Sequence, residues 1–255
     1  MKIIGFAQLY NEESKGNLRN WIKSMSFCDY VYIYDQNSTD SSKELYKQQD
    51  NFVVVESPVN DFKSEIKCKS YLLNKLLNEH SDVDWIFWMD GDTILSRNEG
   101  RDSIERLLTL CDQHGCGSID LRHFNLWRSD IYYRIDNQYD YLDRVGVRAF
   151  WKNNGQLKFP TTDGLHQLQY PNFLGGKVAR LEDIFLIHKG FSTDSQIINR
   201  YHLYKSRGQS GWSLERLIDE NTLAVNILHK SVYPTWFKFN DLENPIDKEK
   251  IVDLL

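Results

Sequence analysis

Short apolar strands alternate with helical segments through the first 90 residues, and this alternation constrains the fold more than any other feature. Helices with apolar residues at helical spacing are predicted at Asn17–Phe27 and Asp61–Glu79. Runs rich in branched and aromatic side chains predict four strands, at Ile3–Leu9, Tyr30–Tyr34, Phe52–Glu56 and Asp84–Met89. A β-α-β-α order of this kind predicts an α/β fold with a parallel, doubly wound sheet.

A polar turn follows three of these strands. Tyr10–Ser14 comes after the first strand, Asp35–Asp40 after the second and Asp90–Thr93 after the fourth. Ligands of doubly wound sheets bind beyond the carboxyl ends of the strands, where the strand order reverses. We therefore expect the three turns to meet at one edge of the sheet and to form a ligand site there. Asp40 is interpreted as a cap of the following helix rather than a ligand.

The second half of the chain, from about residue 117, is less regular and strongly aromatic. It predicts a loop-rich segment at Asn153–Pro171 and two helices, at Asp194–Lys205 and Ser213–Leu228. Strands are expected at Ser118–Trp127, Val145–Trp151 and Asp183–His188. No repeat, low-complexity tract or Gly/Ser-rich linker separates the halves. We therefore predict a single domain, 1–255, with one half at about 1–116 and the other at about 117–255.

Charge and cysteine content exclude several classes of function. The 255-residue chain has a formal net charge of -5, which argues against a general nucleic-acid binder, because such proteins need a basic surface. No apolar run approaches the length of a transmembrane span, and the apolar start is too short for a signal peptide. The four cysteines have no C-x-x-C spacing, which argues against structural zinc and favours reduced thiols in a cytoplasmic protein.

The segment Asp90-Gly91-Asp92 carries the strongest chemical signal. An apolar strand ends there in two carboxylates, and residues two apart in extended chain project to the same side. Oxygen ligands of this kind suit Mn²⁺ or Mg²⁺, which complete their coordination with water and phosphate oxygens. Gly91 permits a close approach of backbone or ligand. The alternative is a surface turn with two solvated acids, since D-G-D is common in loops.

Three segments together resemble family 2 of the GT-A glycosyltransferases, over about residues 1–95 and more loosely over 145–205. They are FAQLYNEE, IYDQNSTDSS and DWIFWMDGDTIL, the last of which resembles the strand and D-x-D motif of that family. The resemblance implies a GT-A (Rossmann-like), doubly wound, mainly parallel sheet with an irregular acceptor-side C-terminal half. It also implies metal-dependent, inverting transfer of a sugar from a nucleoside-diphosphate sugar to a saccharide or other hydroxyl acceptor. UDP is the expected nucleotide from family frequency, and the oligomeric state is not predicted.

The resemblance implies roles for individual residues of the donor half. Asp90 and Asp92 would hold the metal and contact the ribose and diphosphate, and Asp92 would take part in catalysis through that metal. Asp35 would recognise the base. The nucleoside would lie against the first turn, at Leu9, Tyr10, Asn11 and Glu12. An acid near a helix N-terminus is the alternative interpretation of Glu12.

Basic and imidazole groups complete the implied site. Family members often place a basic contact to the nucleotide near the third helix, where Lys63, Lys67 and Lys69 lie, and a solvated helix face is the alternative. His188, in a segment that resembles an H-x-G-[YF] motif, would be a further metal ligand, and a structural histidine is the alternative. Related members carry a catalytic acid where this chain has Gln167, so Asp163 is the candidate base that deprotonates the acceptor hydroxyl, and an ordinary turn acid is the alternative.

Other functions with similar motifs remain as alternatives. A haloacid dehalogenase-like phosphohydrolase also has a D-x-D motif after a strand. In that class the strand is usually the first one, and a threonine follows two residues beyond the second acid. Here Thr93 follows Asp92 directly. A sugar-nucleotide pyrophosphorylase would begin with a glycine-rich phosphate loop, and Ile3–Ser14 contains only Gly5. A non-catalytic carbohydrate-binding protein is a further alternative, because Gln167 stands where related members carry the catalytic acid.

Overall fold

The computed structural model describes residues 1–60, 64–96, 100–128, 130, 147–161, 170–215 and 217–218 of the chain. It divides into two compact units. Unit 1 comprises residues 1–121 and 147–182, and unit 2 comprises residues 122–146 and 183–255. Among the helices within the described ranges, none has the length and apolar character needed to cross a bilayer.

Four parallel strands form the first part of the sheet, and they lie where the sequence predicts them. They are β1 (Ile3–Leu9), β2 (Tyr30–Asp35), β3 (Phe52–Glu56) and β4 (Trp85–Trp88). β1 pairs with β2 on one side and with β4 on the other, and β2 pairs with β3. The carboxyl ends of β1, β2 and β4 therefore meet at one edge of the sheet, as expected for a doubly wound fold.

The helices between these strands are α1 (Leu18–Ser24), α2 (Ser42–Lys47) and α3 (Glu65–Glu79), and α4 (Arg101–Gln113) follows the fourth strand. α1 is shorter at both ends than the predicted Asn17–Phe27. The described part of α3 begins at Glu65, and residues 61–63 of the predicted helix lie outside the described residues. α4 was not predicted, although Ile104, Leu108 and Cys111 are buried along one of its faces.

Four further strands complete the sheet, namely β5 (Thr93–Leu95), β6 (Cys116–Asn125), β7 (Val147–Lys152) and β8 (Lys177–His188). The strand order is β3-β2-β1-β4-β7-β6-β8-β5. β7 is antiparallel to both β4 and β6, with a register shift between Ile119 and Asp120. The sheet is thus parallel in its first four strands and mixed beyond them. β8 begins six residues before the predicted strand at Asp183–His188.

The two faces of β1 are covered by different groups within unit 1. On one face, a Cβ added to Gly5 would lie 3.2 Å from Met25, just after α1, and from Val31 of β2. On the other face, Phe6 packs against Trp151 and Phe159, with ring centroids 5.6 and 6.1 Å away. Because side chains alternate along a strand, Leu9 shares the first face and Gln8 shares the second.

Arg101, the first residue of α4, holds the start of the chain in place. Its guanidinium donates to the carbonyl oxygens of Phe27, at 2.7 Å, and Met1, at 2.5 Å. It also forms ion pairs with Asp29, at 3.0 Å, and with Glu105, at 2.9 Å. One side chain therefore connects β1, the residues before β2, and α4.

Unit 2 has its own small core, with two helices in its described part. These are α5 (Asp194–Ser206) and α6 (Trp212–Glu215). α5 begins with a capping box in which Thr193 and Gln196 bond each other's backbone N–H groups. Most of the predicted helix at Ser213–Leu228 lies outside the described residues. The core consists of Trp127, Phe191, Ile197, Tyr201, Tyr204, Leu214, Leu217 and Ile218.

Candidate functional site

The turns after β1 and β2 are joined by hydrogen bonds through Asn11. The Asn11 backbone N–H donates to Ser38 Oγ at 3.0 Å, and its side-chain Nδ2 donates to Thr39 Oγ1 at 3.2 Å. The Thr39 N–H donates back to Asn11 Oδ1 at 2.7 Å. Asn11 has a φ of 51° and Asn37 a φ of 61°, a left-handed conformation that asparagine tolerates better than most residues. The two predicted turns therefore form one structure.

Asp40 connects the same two turns at the start of α2. Its carboxylate accepts from the Ser14 N–H at 2.8 Å and from the Ser42 N–H at 3.0 Å. Burial acts to raise the pKa of Asp40, but these hydrogen bonds outweigh it, so that the pKa lies below its ordinary value of 3.8. The N-cap residue of α2 is Ser41, so the predicted cap is displaced by one residue. Asp40 therefore bonds the start of α2 without being its N-cap residue, and the interpretation that it is not a ligand stays a prediction.

Gly91 brings the D-G-D turn against the turn after β1. A Cβ placed on Gly91 would lie only 2.6 Å from Glu12 Cγ and 2.6 Å from Leu9 Cδ2. Any side chain at this position would collide with both residues. The turn itself is closed by the Thr93 N–H, which donates to the Asp90 carbonyl oxygen at 3.1 Å. Asp90 and Asp92, on either side of this buried glycine, are each partly exposed.

Glu12 lies between the D-G-D turn and α1. It is 6% exposed, pairs with Lys15 at 2.7 Å and accepts from Asn17 Nδ2 at 3.2 Å. Burial raises the pKa of Glu12, Lys15 opposes this effect, and the nearby Asp92 carboxylate adds to it. α1 begins at Leu18 and has no acid in its first turn, but the Glu12 carboxylate contacts its N-cap residue Asn17. The interpretation of Glu12 as an acid near the helix N-terminus therefore stays a prediction.

Asp35 is fully buried at the end of β2. Its Oδ1 accepts from the Ser38 N–H at 2.8 Å and lies 3.8 Å from Lys43 Nζ. Its Oδ2 has no hydrogen-bond partner among the described residues. Burial raises the pKa of Asp35 above the ordinary value for an aspartate, despite the hydrogen bonds from Ser38. A buried carboxylate oxygen with no partner costs free energy, which a ligand carrying an N–H group would recover.

Lys69 is buried in α3 and does not lie on a solvated helix face. It is 2% exposed, its Nζ lies 2.5 Å from Glu65 Oε1, and it stands 5.2 Å above the ring of Trp88 in β4. Trp88 comes two residues before Asp90, so this cation packs against the strand that leads into the D-G-D turn. Lys67, by contrast, is exposed as the alternative predicted, and Lys63 lies outside the described residues.

The remaining residues singled out from the sequence are His188, Asp163 and Gln167. His188, in unit 2, is 7% exposed, and its ring lies 5.3 Å from that of His123 and 5.1 Å from that of Phe191. Asp163 and Gln167 lie outside the described residues. Within the described ranges, no group of three or more His, Cys, Asp or Glu residues is arranged to hold a metal.

Two residues near these sites were not singled out from the sequence. Gln8 is a buried polar residue in the otherwise apolar strand Ile3–Leu9, and that contrast with its neighbours was the available signal. His123 contacts His188 across neighbouring strands, a relation that sequence spacing does not reveal.

The sheet with its polar carboxyl edge defines the class of fold, which is the GT-A type of α/β fold, as predicted. A solved structure to which this chain is similar is that of TarS of S. aureus, residues 1–349, in complex with UDP. That structure has a TM-score of 0.50 and 12% identity, over 85% of this chain and 69% of the TarS chain. At this identity the likeness establishes the fold alone. No protein-family model and no curated protein matches the sequence.

Two further solved structures are similar over part of their length. Glucosyl-3-phosphoglycerate synthase from Mycobacterium tuberculosis, in complex with Mn²⁺, UDP and glucosyl-3-phosphoglycerate, has a TM-score of 0.40 and 16% identity, over 81% of this chain and 66% of its own. A glycosyltransferase involved in glycosylation of the major capsid of PBCV-1 has a TM-score of 0.29 and 12% identity, over 49% of this chain and 52% of its own. The chain thus spans less than two thirds of either protein.

Proposed function

We propose that this protein is a metal-dependent glycosyltransferase that moves a sugar from a nucleoside-diphosphate sugar, with UDP as the expected nucleotide, to a hydroxyl acceptor. One observation carries the proposal. On a GT-A fold, Gly91 packs against Leu9 and Glu12, so that the D-G-D turn and the turn after β1 form one surface at the carboxyl edge of the sheet. This is the edge at which doubly wound sheets bind nucleotides.

The residues at this edge fit a divalent cation and a nucleoside diphosphate. Asp90 and Asp92 would hold Mn²⁺ or Mg²⁺, since both are partly exposed and supply the carboxylate oxygens that these ions prefer. A cation there would also relieve the repulsion between Asp92 and Glu12, which adds to the effect of burial in raising the pKa of Glu12. When bound, the metal would neutralise the charge of the departing diphosphate.

The other residues of the edge position the nucleotide. Asp35 would accept from the N–H edge of the base with its unpartnered Oδ2, and the backbone of Leu9, Tyr10 and Asn11 would contact the nucleoside. Glu12 would keep the D-G-D turn in place through its contact with Gly91. Lys69, already paired with Glu65, would add positive potential beside the strand that leads into the turn.

The acceptor half completes the proposal. Residues 117–255 would bind a saccharide or glycoconjugate, with His188 as a further metal ligand and Asp163 as the base of an inverting reaction. The four cysteines are buried and form no disulfide with one another, which is compatible with a reducing, cytoplasmic location.

The first test measures UDP binding by calorimetry with and without Mn²⁺, in wild type and in Asp90→Asn and Asp92→Asn. We expect Mn²⁺ to be required and each substitution to weaken binding at least tenfold. Asp82→Asn is the matched control, since Asp82 is 68% exposed near the opposite edge of the sheet and pairs only with Lys2 among the described residues. Unchanged thermal unfolding shows that the variants fold.

Activity is tested by hydrolysis of UDP-, GDP- and dTDP-sugars with Mn²⁺. Release of the nucleoside diphosphate by wild type, but not by the two Asn variants, supports the proposal. Full activity in both variants rejects the metal assignment. Saccharide binding without any nucleotide binding would favour the non-catalytic carbohydrate-binding alternative, and phosphatase activity on sugar phosphates would favour the phosphohydrolase.

A further inference from the structure

Gln8 is a buried amide whose hydrogen-bonding groups are not satisfied by any of the described residues. It is the last residue but one of β1 and is 7% exposed. Neither its Oε1 nor its Nε2 has a hydrogen-bond partner within the described part of the chain. Every other residue of the strand is apolar or glycine, and all of them are buried. A leucine or methionine at this position would pack without that cost.

An unsatisfied buried amide indicates a ligand, because it weakens the folded state unless something else bonds to it. Natural structures retain few buried polar groups without partners, and those that remain often belong to functional sites. A carboxamide offers an NH₂ group that donates and a carbonyl oxygen that accepts, side by side, and carries no charge. Its best match is a neutral group that both donates and accepts, of which a hydroxyl is the simplest.

The position of Gln8 in the sheet indicates which part of a ligand it meets. β1 lies between β2, which ends in Asp35, and β4, which leads to Asp90. Gln8 pairs in register with Tyr34, and Leu9 pairs with Asp35. Gln8 therefore lies in the strand between the proposed base contact and the proposed diphosphate contact. In a nucleoside diphosphate, the ribose connects those two parts.

A second unsatisfied donor lies on the same face of the sheet. Trp88 of β4 pairs in register with Phe6, and Gln8 is the next residue of β1 on that face. Trp88 is 2% exposed, and its indole Nε1 has no hydrogen-bond partner among the residues that the structure describes. With Lys69 above the Trp88 ring, this face offers donors that suit an oxygen-rich ligand.

We propose that Gln8 is a specificity-determining residue that hydrogen-bonds the 2′- or 3′-hydroxyl of the ribose in the donor nucleotide. The inference rests on the proposed function, since it assumes a nucleoside diphosphate at this edge. It goes further by assigning selectivity for ribonucleotides over deoxyribonucleotides to one neutral side chain.

The test compares the affinities of UDP, 2′-deoxy-UDP and 3′-deoxy-UDP in the presence of Mn²⁺ for wild type, Gln8→Leu and Gln8→Met. Wild type should bind UDP about tenfold more tightly than at least one deoxy analogue, as expected for one neutral hydrogen bond to an otherwise unsatisfied group. Both variants should bind all three ligands with affinities within about threefold of one another. Gln49→Leu, the same change in a partly buried residue just after α2, should retain the wild-type ratio.

Thermal unfolding without ligand separates a binding role from a structural one. Because the substitutions remove an unsatisfied buried amide, Gln8→Leu or Gln8→Met should leave the Tm unchanged or raise it by about 2–4 °C. A fall of several degrees in both variants, or an equal loss of affinity for all three ligands, would show a structural role and overturn the inference. Equal wild-type affinities for UDP and both deoxy analogues overturn it without any variant. If wild type binds no nucleotide at all, the proposed function fails as well.

Discussion

Replacing Gly91 by alanine tests the packing on which the site depends. The added Cβ would lie 2.6 Å from both Glu12 Cγ and Leu9 Cδ2 and 2.8 Å from Glu12 Cδ. Carbon atoms in contact are normally about 3.5–4.0 Å apart, so the overlap is about 1 Å at two points. Gly91 is not among the described residues with a positive φ. The collision, and not backbone strain, should therefore decide the outcome.

Neither neighbour can move away freely. Glu12 is held by Lys15 and Asn17, and Leu9 is 1% exposed at the end of a central strand. Relief therefore requires breaking the contacts of Glu12 or displacing the D-G-D turn. We expect a loss of stability of about 1–3 kcal/mol, as for other overpacked sites. In a chain of this size that corresponds to a fall in Tm of roughly 2–12 °C.

The effect on function should exceed the effect on folding. A shift of about 1 Å in a group that positions the reacting atoms costs on the order of a hundredfold in rate. Urea unfolding and donor hydrolysis with Mn²⁺ measure the two effects. Gly100→Ala is the matched control, because a Cβ at Gly100 meets no atom within 4 Å. Gly91→Ala with the wild-type Tm and activity would refute the reasoning.

Two further predictions concern stability alone. Asp40→Asn should lower the stability by about 1 kcal/mol at neutral pH, since two backbone N–H groups lose a charged acceptor. The pKa of Asp40 is lowered in the folded state, so its contribution is present above pH 3.8 and is lost as the pH falls through the folded pKa. Urea unfolding between pH 7 and pH 3 should show the variant and wild type converging, and a constant difference would contradict this. Arg101→Ala should cost about 1–3 kcal/mol in urea unfolding, because two carbonyl oxygens and two carboxylates lose their donor. Arg101→Lys should recover only part of that loss, since lysine lacks the planar fork, and full recovery would show that charge alone matters.

The strands of the first half could be predicted because their apolar runs are continuous and end in polar turns. Ile3–Leu9 and Phe52–Glu56 have the predicted bounds. β8 begins earlier than predicted because charged residues interrupt its first part, where Lys177, Val178 and Arg180 are exposed. Such a segment lacks the hydrophobic signal by which a buried strand is found.

The site could be predicted as a set of motifs but not as a set of contacts. The order of the turns places Asp35, Asp90 and Asp92 at one edge, given a parallel sheet. The packing of Gly91 against Glu12 depends on β1 and β4 being neighbours, which the sequence does not state. The burial of Lys69 could not be predicted either, because it depends on how α3 lies against Trp88.

The central position of β1 has a consequence for how the chain acquires its structure. The turns after β1 and β2 bond through Asn11 and Ser38, only 27 residues apart, so they can form early. The D-G-D turn comes into place only when β4 pairs with β1, where Ile3 meets Trp85 across 82 residues of chain. Closing that longer loop is slower and entropically more costly. A folding intermediate that contains β1, β2 and β3 would thus have two of the three turns, and the D-G-D turn would join them last.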